Sequence, residues 1–345
     1  MTWVAAVILI IVALPPLLAR LAGGYPPDPV PELAALAPLA VLPAVAAVII
    51  AAWAAWWLAA LLAIPAALLV AWQLPPRRPA RSRAAAWPRR GPESAPAPLG
   101  LRVYTVNAQG GAADPAAIVG IVRRHEVDVL AVQELTAPMV AGLAAAGLSQ
   151  VLPFSHLDPR PGARGTGLWG RWPLMPLPPV LGLTSAAPRA RIDPVGGFPV
   201  TLTVVHPRAP VYRHAPVRGY ADIWRRELAM IAQAVAGAGG PRVVAGDFNA
   251  TRDHGPFREL LAAGLLDCAD AGQNRSWPGF TWPASGRALP VLRLDHVLVS
   301  RTATVLMTRT IRVPRTDHHG VLAAIEFPPE QEPRDELPDQ VLGHL

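Results

Sequence analysis

The residues of this chain best suited to chemistry are Asp, Asn, Glu and His side chains that close apolar, β-like runs. Asn107 ends Arg102-Val103-Tyr104-Thr105-Val106, and Glu134 ends Val129-Leu130-Ala131-Val132-Gln133. His206 ends Thr203-Val204-Val205, and Asp247 and Asn249 follow Val243-Val244-Ala245-Gly246. Asp295 starts another apolar run, and Asp317-His318 precedes a further one. Singly, each has an ordinary reading as a turn residue, a helix-start acid or a hydrogen-bonded histidine. Gathered at one place, they would be too costly to bury unless a metal or a shared hydrogen-bond network satisfied them. Hard carboxylate and amide oxygens beside imidazoles suit metal-assisted hydrolysis of a phosphate ester.

Residues at strand ends converge only if the strands share a sheet edge, so the elements matter. The pattern predicts strands at 101–106, 127–132, 166–170, 243–245, 294–299 and 321–325. A hairpin is predicted from 190–195 and 200–205 across Gly196-Gly197. Asp114 as N-cap and Pro115 at the first helical position start a helix that runs to His125, and 218–236 reads as an amphipathic helix. Strands mixed with helices and a hairpin point to an α/β fold with two packed mixed sheets flanked by helices, rather than one doubly wound sheet. No glycine-rich phosphate loop and no zinc-like Cys/His spacing is present.

The flanking segments differ in kind. Met1–Ala19 carries no charged side chain, and neither does Leu33–Pro76. A span needs about 20 apolar residues. These runs therefore predict about three transmembrane helices, near 1–21, 33–52 and 54–74, within a membrane region 1–76. A cleaved signal peptide fits the first run less well, because no basic segment precedes it. Residues 77–98 read as a basic, Pro-rich linker, 99–327 as the catalytic domain, and 328–345 as a disordered acidic tail. The chain contains 41 prolines and no lysine, and its one cysteine, Cys268, excludes an internal disulfide. Residues 99–327 hold 23 arginines against 16 acids, a net +7 that suits an anionic substrate.

The motifs, taken in order, resemble a known family. Asn107 in TVNAQGG, Glu134 in VLAVQEL, His206 in VVHPRAP, Asp247 and Asn249 in AGDFNA, Asp295 in RLDHVLV and Asp317-His318 in TDHHG are similar to those of the endonuclease/exonuclease/phosphatase superfamily. Phe280-Thr281-Trp282 adds to the likeness. The resemblance covers roughly 100–327 and implies a DNase I-like four-layered sandwich. It implies Glu134 as the principal Mg²⁺ ligand (Mn²⁺ being the alternative), with Asn107 nearby and Asp317 adding to the metal or histidine network. It implies His318 as general base oriented by Asp295. Asp247 and Asn249 would position the nucleophile and hold the phosphate, and His206 would donate to a phosphate oxygen. Gln109 departs from the pattern, because some nuclease members carry an acidic residue there.

The apolar N-terminus together with this domain looks like bacterial membrane proteins of the teicoplanin-resistance type. That likeness implies a multi-pass membrane phosphoesterase that cleaves a polyprenyl or phospholipid phosphate beside the bilayer. A membrane-tethered nuclease is the alternative, and a non-catalytic scaffold is a second one. The arginine-rich linker favours a cytoplasmic domain, whereas an envelope substrate favours an external one.

Overall fold

The computed structural model describes residues 2–25, 29–54, 67, 99–194, 199–210, 219–237, 239–271, 274–275, 279–286 and 289–328. Its strands are β1 (Leu99–Asn107), β2 (Val129–Gln133), β3 (Phe154–Asp158), β4 (Thr166–Gly170), β5 (Met175–Leu177), β6 (Arg189–Ile192), β7 (Val200–Val205), β8 (Arg242–Asp247), β9 (Leu265–Asp267), β10 (Asn274–Arg275), β11 (Asp295–Ser300), β12 (Thr304–Arg312) and β13 (His319–Phe327). They form a seven-stranded sheet in the order β10-β12-β13-β1-β2-β4-β3 and a six-stranded sheet in the order β5-β6-β7-β8-β11-β9. The helices are α1 (Thr2–Leu21), α2 (Val30–Ala35), α3 (Val41–Ala54), α4 (Pro115–Arg124), α5 (Ala137–Ala145), α6 (Tyr220–Ala236), α7 (Gly255–Ala262) and α8 (Cys268–Ala271).

Alternation along the central strands builds the layers. Side chains of a strand point to opposite faces in turn. Leu101 and Val103 of β1, Val243 and Ala245 of β8, and Val297 and Val299 of β11 fill the space between the sheets. Tyr104 and Val106 face outward and pack with Ile118 and Val122 of α4 and Leu143 of α5. Val244 and Leu298 face the other way, against Trp224 and Leu228 of α6 and Phe257 of α7. The result is the helix–sheet–sheet–helix stack that the sequence predicts. Strands buried on both faces explain why these segments read as continuous apolar runs.

The same topology decides where the polar residues go. Each sheet holds a central parallel pair joined by a helical crossover: β1–β2 through α4, and β7–β8 through α6. Asp114 starts α4 as expected, accepting hydrogen bonds from the amides of Ala116 and Ala117 with Pro115 at the first position. The C-terminal ends of the four parallel strands carry Asn107, Glu134, His206 and Asp247. β11 runs antiparallel to β8 and β13 antiparallel to β1, so their N-terminal ends, with Asp295 and His318, reach the same edge. Asp295 is the register partner of Asp247.

β7 and β8 approach closely at Gly246. A Cβ there would lie 1.9 Å from the Val205 carbonyl oxygen. Backbone cannot yield as a flexible side chain can, so Gly246→Ala should destabilise the domain by at least about 2 kcal/mol. Denaturant unfolding reads this directly, and a loss below about 0.5 kcal/mol would contradict the close approach.

Two expectations are revised. The hairpin before β7 has a shorter first strand, ending at Ile192, and its Gly196-Gly197 turn lies outside the described residues. The linker 77–98 and the tail from 329 onward also lie outside them. The reading of about three spans is corrected. Among the described residues one helix, Val4–Leu21, is long and apolar enough to cross a membrane. The run from Leu33 breaks into α2, a 3-10 turn at Ala37–Ala40 and the 14-residue α3. Pro38 has no N–H for a continuing helix, and Pro43 fits only because it sits in the first turn of α3. The remainder of that run falls almost wholly outside the described residues.

Candidate active site

Strand alternation puts Asn107, Asp247 and Asp295 on the inner face of the sandwich, directly above its apolar filling. All three are essentially buried. The Asn107 amide nitrogen donates to Asp247 Oδ2 at 3.0 Å and to Glu134 Oε1 at 3.1 Å, so one side chain ties the two sheets together. Its amide oxygen accepts the Gln109 backbone N–H at 2.9 Å. Glu134 is partly open, and its second oxygen accepts the Gly110 N–H at 2.6 Å.

The strand-to-loop exits are tight. Gln109, Glu134 and Asn249 have φ of 49°, 54° and 48°, in the left-handed region that L residues seldom occupy. Such conformations cost of order 1 kcal/mol each, and they cluster where a side chain must be aimed. At Asn249 the position is fixed by its own N–H, which donates to Asp247 Oδ1 at 2.8 Å, and by its amide nitrogen, which donates to the Pro207 carbonyl at 3.0 Å.

His318 and Asp295 form the second half of the site. His318 Nδ1 lies 2.8 Å from Asp295 Oδ2, which leaves Nε2 facing the site, 3.8 Å from Asp247 Oδ2 and 4.0 Å from Asp317 Oδ1. Burial alone would lower the His318 pKa, but the Asp295, Asp247 and Asp317 carboxylates outweigh it and hold the imidazole up to about 10. Burial pushes the Asp295 carboxyl above its ordinary range, opposed by His318. The neighbouring His319 is lowered by burial and by Arg312. It is therefore His318, not His319, that carries the charge-supported imidazole.

His206 enters from the other sheet. Its Nδ1 donates to the Ala163 carbonyl at 3.0 Å, and its Nε2 points at Asp247 Oδ2 (3.6 Å) and Glu134 Oε1 (3.9 Å). Asp317 lies at the rim, where Trp282 Nε1 donates to its Oδ2 at 3.2 Å. The structure thus brings seven of the predicted residues into one connected group through Asn107, Asp247 and His318, with Asp317 beside it. Asp247, Asp295 and His318 offer ligand atoms within 4.8 Å of one another. Of these, Asp295 Oδ2 already holds His318. Asp247 and the half-open Glu134, bridged by Asn107, present further hard oxygens toward the same space, and Asp295 Oδ1 makes no hydrogen bond among the described residues.

Several supporting residues, three of them inside the motifs, have no role assigned from the sequence. His296 is buried, with Nδ1 2.8 Å from Asp267 Oδ2 and Nε2 2.9 Å from the Ala250 carbonyl, so it clamps the residue after Asn249. The Thr281 hydroxyl accepts the backbone N–H groups of Leu294 and Asp295. The Thr316 hydroxyl donates to the Asn107 carbonyl at 2.8 Å and accepts the His318 N–H at 3.2 Å. Glu227, buried on α6, accepts the N–H groups of Thr184 and Arg208 at 2.7 Å each, bracing the loop after His206. An acidic residue three and four positions from Trp224, Ile223, Met230 and Ile231, and so on an apolar helix face, is the sequence signal that Glu227 gives.

The geometry has a counterpart among known proteins. The family described as Endonuclease/Exonuclease/phosphatase family matches residues 104–318, a span that contains all eight predicted site residues. The chain belongs to this family, whose members are metal-dependent phosphoester hydrolases. Among solved structures it is similar to D. rerio TDP2 complexed with single strand DNA product, at 17% identity and a TM-score of 0.52 over 66% of this chain and 99% of that one. It is also similar to an endonuclease/exonuclease/phosphatase family protein from Leptotrichia buccalis, at 16% identity and a TM-score of 0.50 over 66% of this chain and 100% of that one. A family protein from Bacteroides thetaiotaomicron gives 14% identity and a TM-score of 0.50 over 67% and 99% of the two chains. At these identities the likeness establishes the fold. None of the curated proteins matches the sequence.

Proposed function

We propose that this chain is a membrane-anchored, Mg²⁺-dependent phosphoesterase acting on a lipid-linked phosphate. The observation that carries the reaction class is the Asn107 bridge between Glu134 and Asp247, set opposite the His318–Asp295 pair. Glu134 and Asp247, with Asn107 beside them, would hold the cation, and Mn²⁺ would fit the same oxygens. A divalent ion there supplies charge neutralisation to the phosphate and offsets the carboxylates that hold the proton on His318.

The residues then have distinct tasks. Asp295 fixes the His318 tautomer with the proton on Nδ1, leaving Nε2 to take a proton from an attacking water. Asp247 Oδ2, 3.8 Å from Nε2, lies where it can help orient that water. Asn249, held with its backbone in the left-handed region, offers its side chain toward a phosphate oxygen. His206 has Nδ1 committed to Ala163, which leaves Nε2 to face a phosphate oxygen. Asp317 limits the freedom of the His318 edge. In-line displacement needs little more from a protein than this positioning and charge stabilisation.

The N-terminal helices support the membrane reading by their inverted polarity. Ala6, Ala13, Ala47 and Ala51 are buried, whereas Val4, Ile8, Ile11, Leu18, Leu42, Ile49 and Trp53 are exposed. A helix pair in water buries its large aliphatic residues and keeps a polar outer face. Small residues inside and large apolar residues outside are what a lipid environment favours. Full-length protein should sediment with membranes and resist extraction by high salt and carbonate, yet be released by detergent. Release by salt alone would remove the anchor from this reading.

A nuclease is the second reading, favoured by the net +7 of residues 99–327. One panel separates the two. Purified full-length protein with Mg²⁺ is offered a polyprenyl diphosphate and a phospholipid in detergent micelles, plasmid DNA and single-stranded DNA. The lipid phosphates should be turned over faster. DNA cleavage without lipid-phosphate release would reverse the assignment.

A further inference from the structure

Among the described residues, the N-terminal helices meet the catalytic domain at a place that adjoins the site. Arg20, in the last turn of α1, is buried with its Nε 2.9 Å from Asp253 Oδ1, and Asp253 is buried as well. The Thr251 N–H donates to His254 Nδ1 at 2.8 Å, so the proton of that imidazole sits on Nε2, which donates to the Pro31 carbonyl at 2.8 Å. The Gly255 N–H donates to the Gly23 carbonyl, and the Tyr25 hydroxyl donates to Glu259. A Cβ at Gly255 would meet Tyr25 Cε2 at 2.5 Å and the Gly23 carbonyl oxygen at 2.6 Å, so backbone meets backbone here. Trp224 of α6 packs edge-on against the His254 ring at 5.0 Å.

A flexible tether would require none of this. Arg and Asp are rarely buried, and each is stable there only while the other faces it. The loop that they grip is short. Asp247 and Asn249 belong to the proposed phosphate-binding exit of β8. Ala250 is held by His296, and Thr251 to His254 turn directly onto the α1–α2 segment. The exit of β8 is thus fixed from inside by His296 and from outside by Arg20, Pro31 and Gly23.

We infer that the α1–α2 segment is a positioning part of the active site, acting through Asp253 and His254 on the Asp247–Asn249 loop, and not merely an anchor. Arg20, Asp253 and His254 are positioning residues, since none of them is placed to touch a substrate. The kinetic side of this inference rests on the phosphoesterase reading, and the structural side does not.

The test uses full-length protein in detergent micelles. Arg20→Gln and Asp253→Asn each remove one charge of the pair, the second with almost no change of shape. Hydrogen–deuterium exchange of the 247–256 segment should rise at least about tenfold in each single variant, while β1 and β11 keep their protection. With bis(p-nitrophenyl) phosphate and Mg²⁺, kcat should fall about fivefold or more with KM within about twofold, because loss of alignment acts on the reacting geometry. The double variant should be no worse than either single one, as for two partners of one interaction. Unchanged exchange at 247–256 in both single variants would overturn the docking, whatever the site hydrolyses. Raised exchange with unaltered kcat would reduce the segment to an anchor and overturn its positioning role. If wild-type protein hydrolyses no phosphoester, the reaction assignment fails, and the exchange result still decides the docking.

Discussion

His318→Ala is expected to lower kcat/KM for phosphoester hydrolysis by about 10³-fold or more, and Asp295→Asn by a comparable factor. The two variants act for different reasons. Alanine removes the imidazole whose Nε2 faces Asp247 and whose Nδ1 is held by a buried carboxylate. Asparagine keeps the shape of Asp295 but replaces a pure acceptor with a group that can also donate, so the imidazole is no longer confined to the tautomer that leaves Nε2 free. A general contribution from packing would not give this pattern, because Asp295→Asn changes neither volume nor backbone. The ion-free protein adds a check with a definite sign. The folded-state pKa of about 10 lies above the ordinary 6.5. The stabilisation from His318 is therefore fully present below about pH 6.5 and is lost as pH rises toward 10. Melting curves in chelator should show an alkaline decline in wild type that is weaker in His318→Ala. Near-wild-type turnover in both variants would remove His318 from the mechanism.

The site was legible in the sequence to the extent that strand ends announce themselves. A polar residue that closes an apolar run must leave the sheet at an edge. Asn107, Glu134, His206 and Asp247 do so at the ends of two parallel pairs, while Asp295 and His318 do so at the starts of antiparallel neighbours. What was not legible lies in long-range contacts. Asp295 followed by His296 gives no hint that the first residue serves His318 and the second grips Ala250. Arg20 reads as the charged flank of an apolar helix, and its partner Asp253 lies far along the chain. Strands at or next to a sheet edge were missed for a related reason. β5 contains Pro176, and β12 (TVLMTRTIR) is polar at many positions, so neither shows the continuous apolar run that marks a strand buried on both faces. The predicted span at 33–52 failed because length and hydropathy ignore where prolines fall, and the one at 54–74 lies almost wholly outside the described residues. Pro38 divides a run that composition alone would treat as one helix.

Removing divalent cations should abolish activity, and Mg²⁺ or Mn²⁺ should restore it. Glu134→Gln should raise the cation concentration needed for half-maximal activity by at least about 10- to 100-fold. Glu134 is less buried than Asp247 and Asp295, and its two oxygens already accept hydrogen bonds from Asn107 and the Gly110 N–H. Both donors require oxygen acceptors, so a glutamine amide must present its NH₂ to one of them. The substitution thus removes a negative charge and also loosens the Asn107 bridge to Asp247. A carboxylate that only braced the loop would show the second effect without the first. Thermal melting separates them independently of turnover, because a ligand present at 100 times its Kd stabilises the folded state by about 2.7 kcal/mol. For a domain of this size that corresponds to a rise in Tm of roughly 5–10 °C. Wild-type protein should show that rise with saturating Mg²⁺, whereas Glu134→Gln should show little of it at the same concentration. Equal Mg²⁺-induced shifts in the two proteins would move the cation off Glu134 and toward the Asp247, Asp295 and His318 side, where Asp295 would meet the ion through Oδ1 while Oδ2 keeps the imidazole.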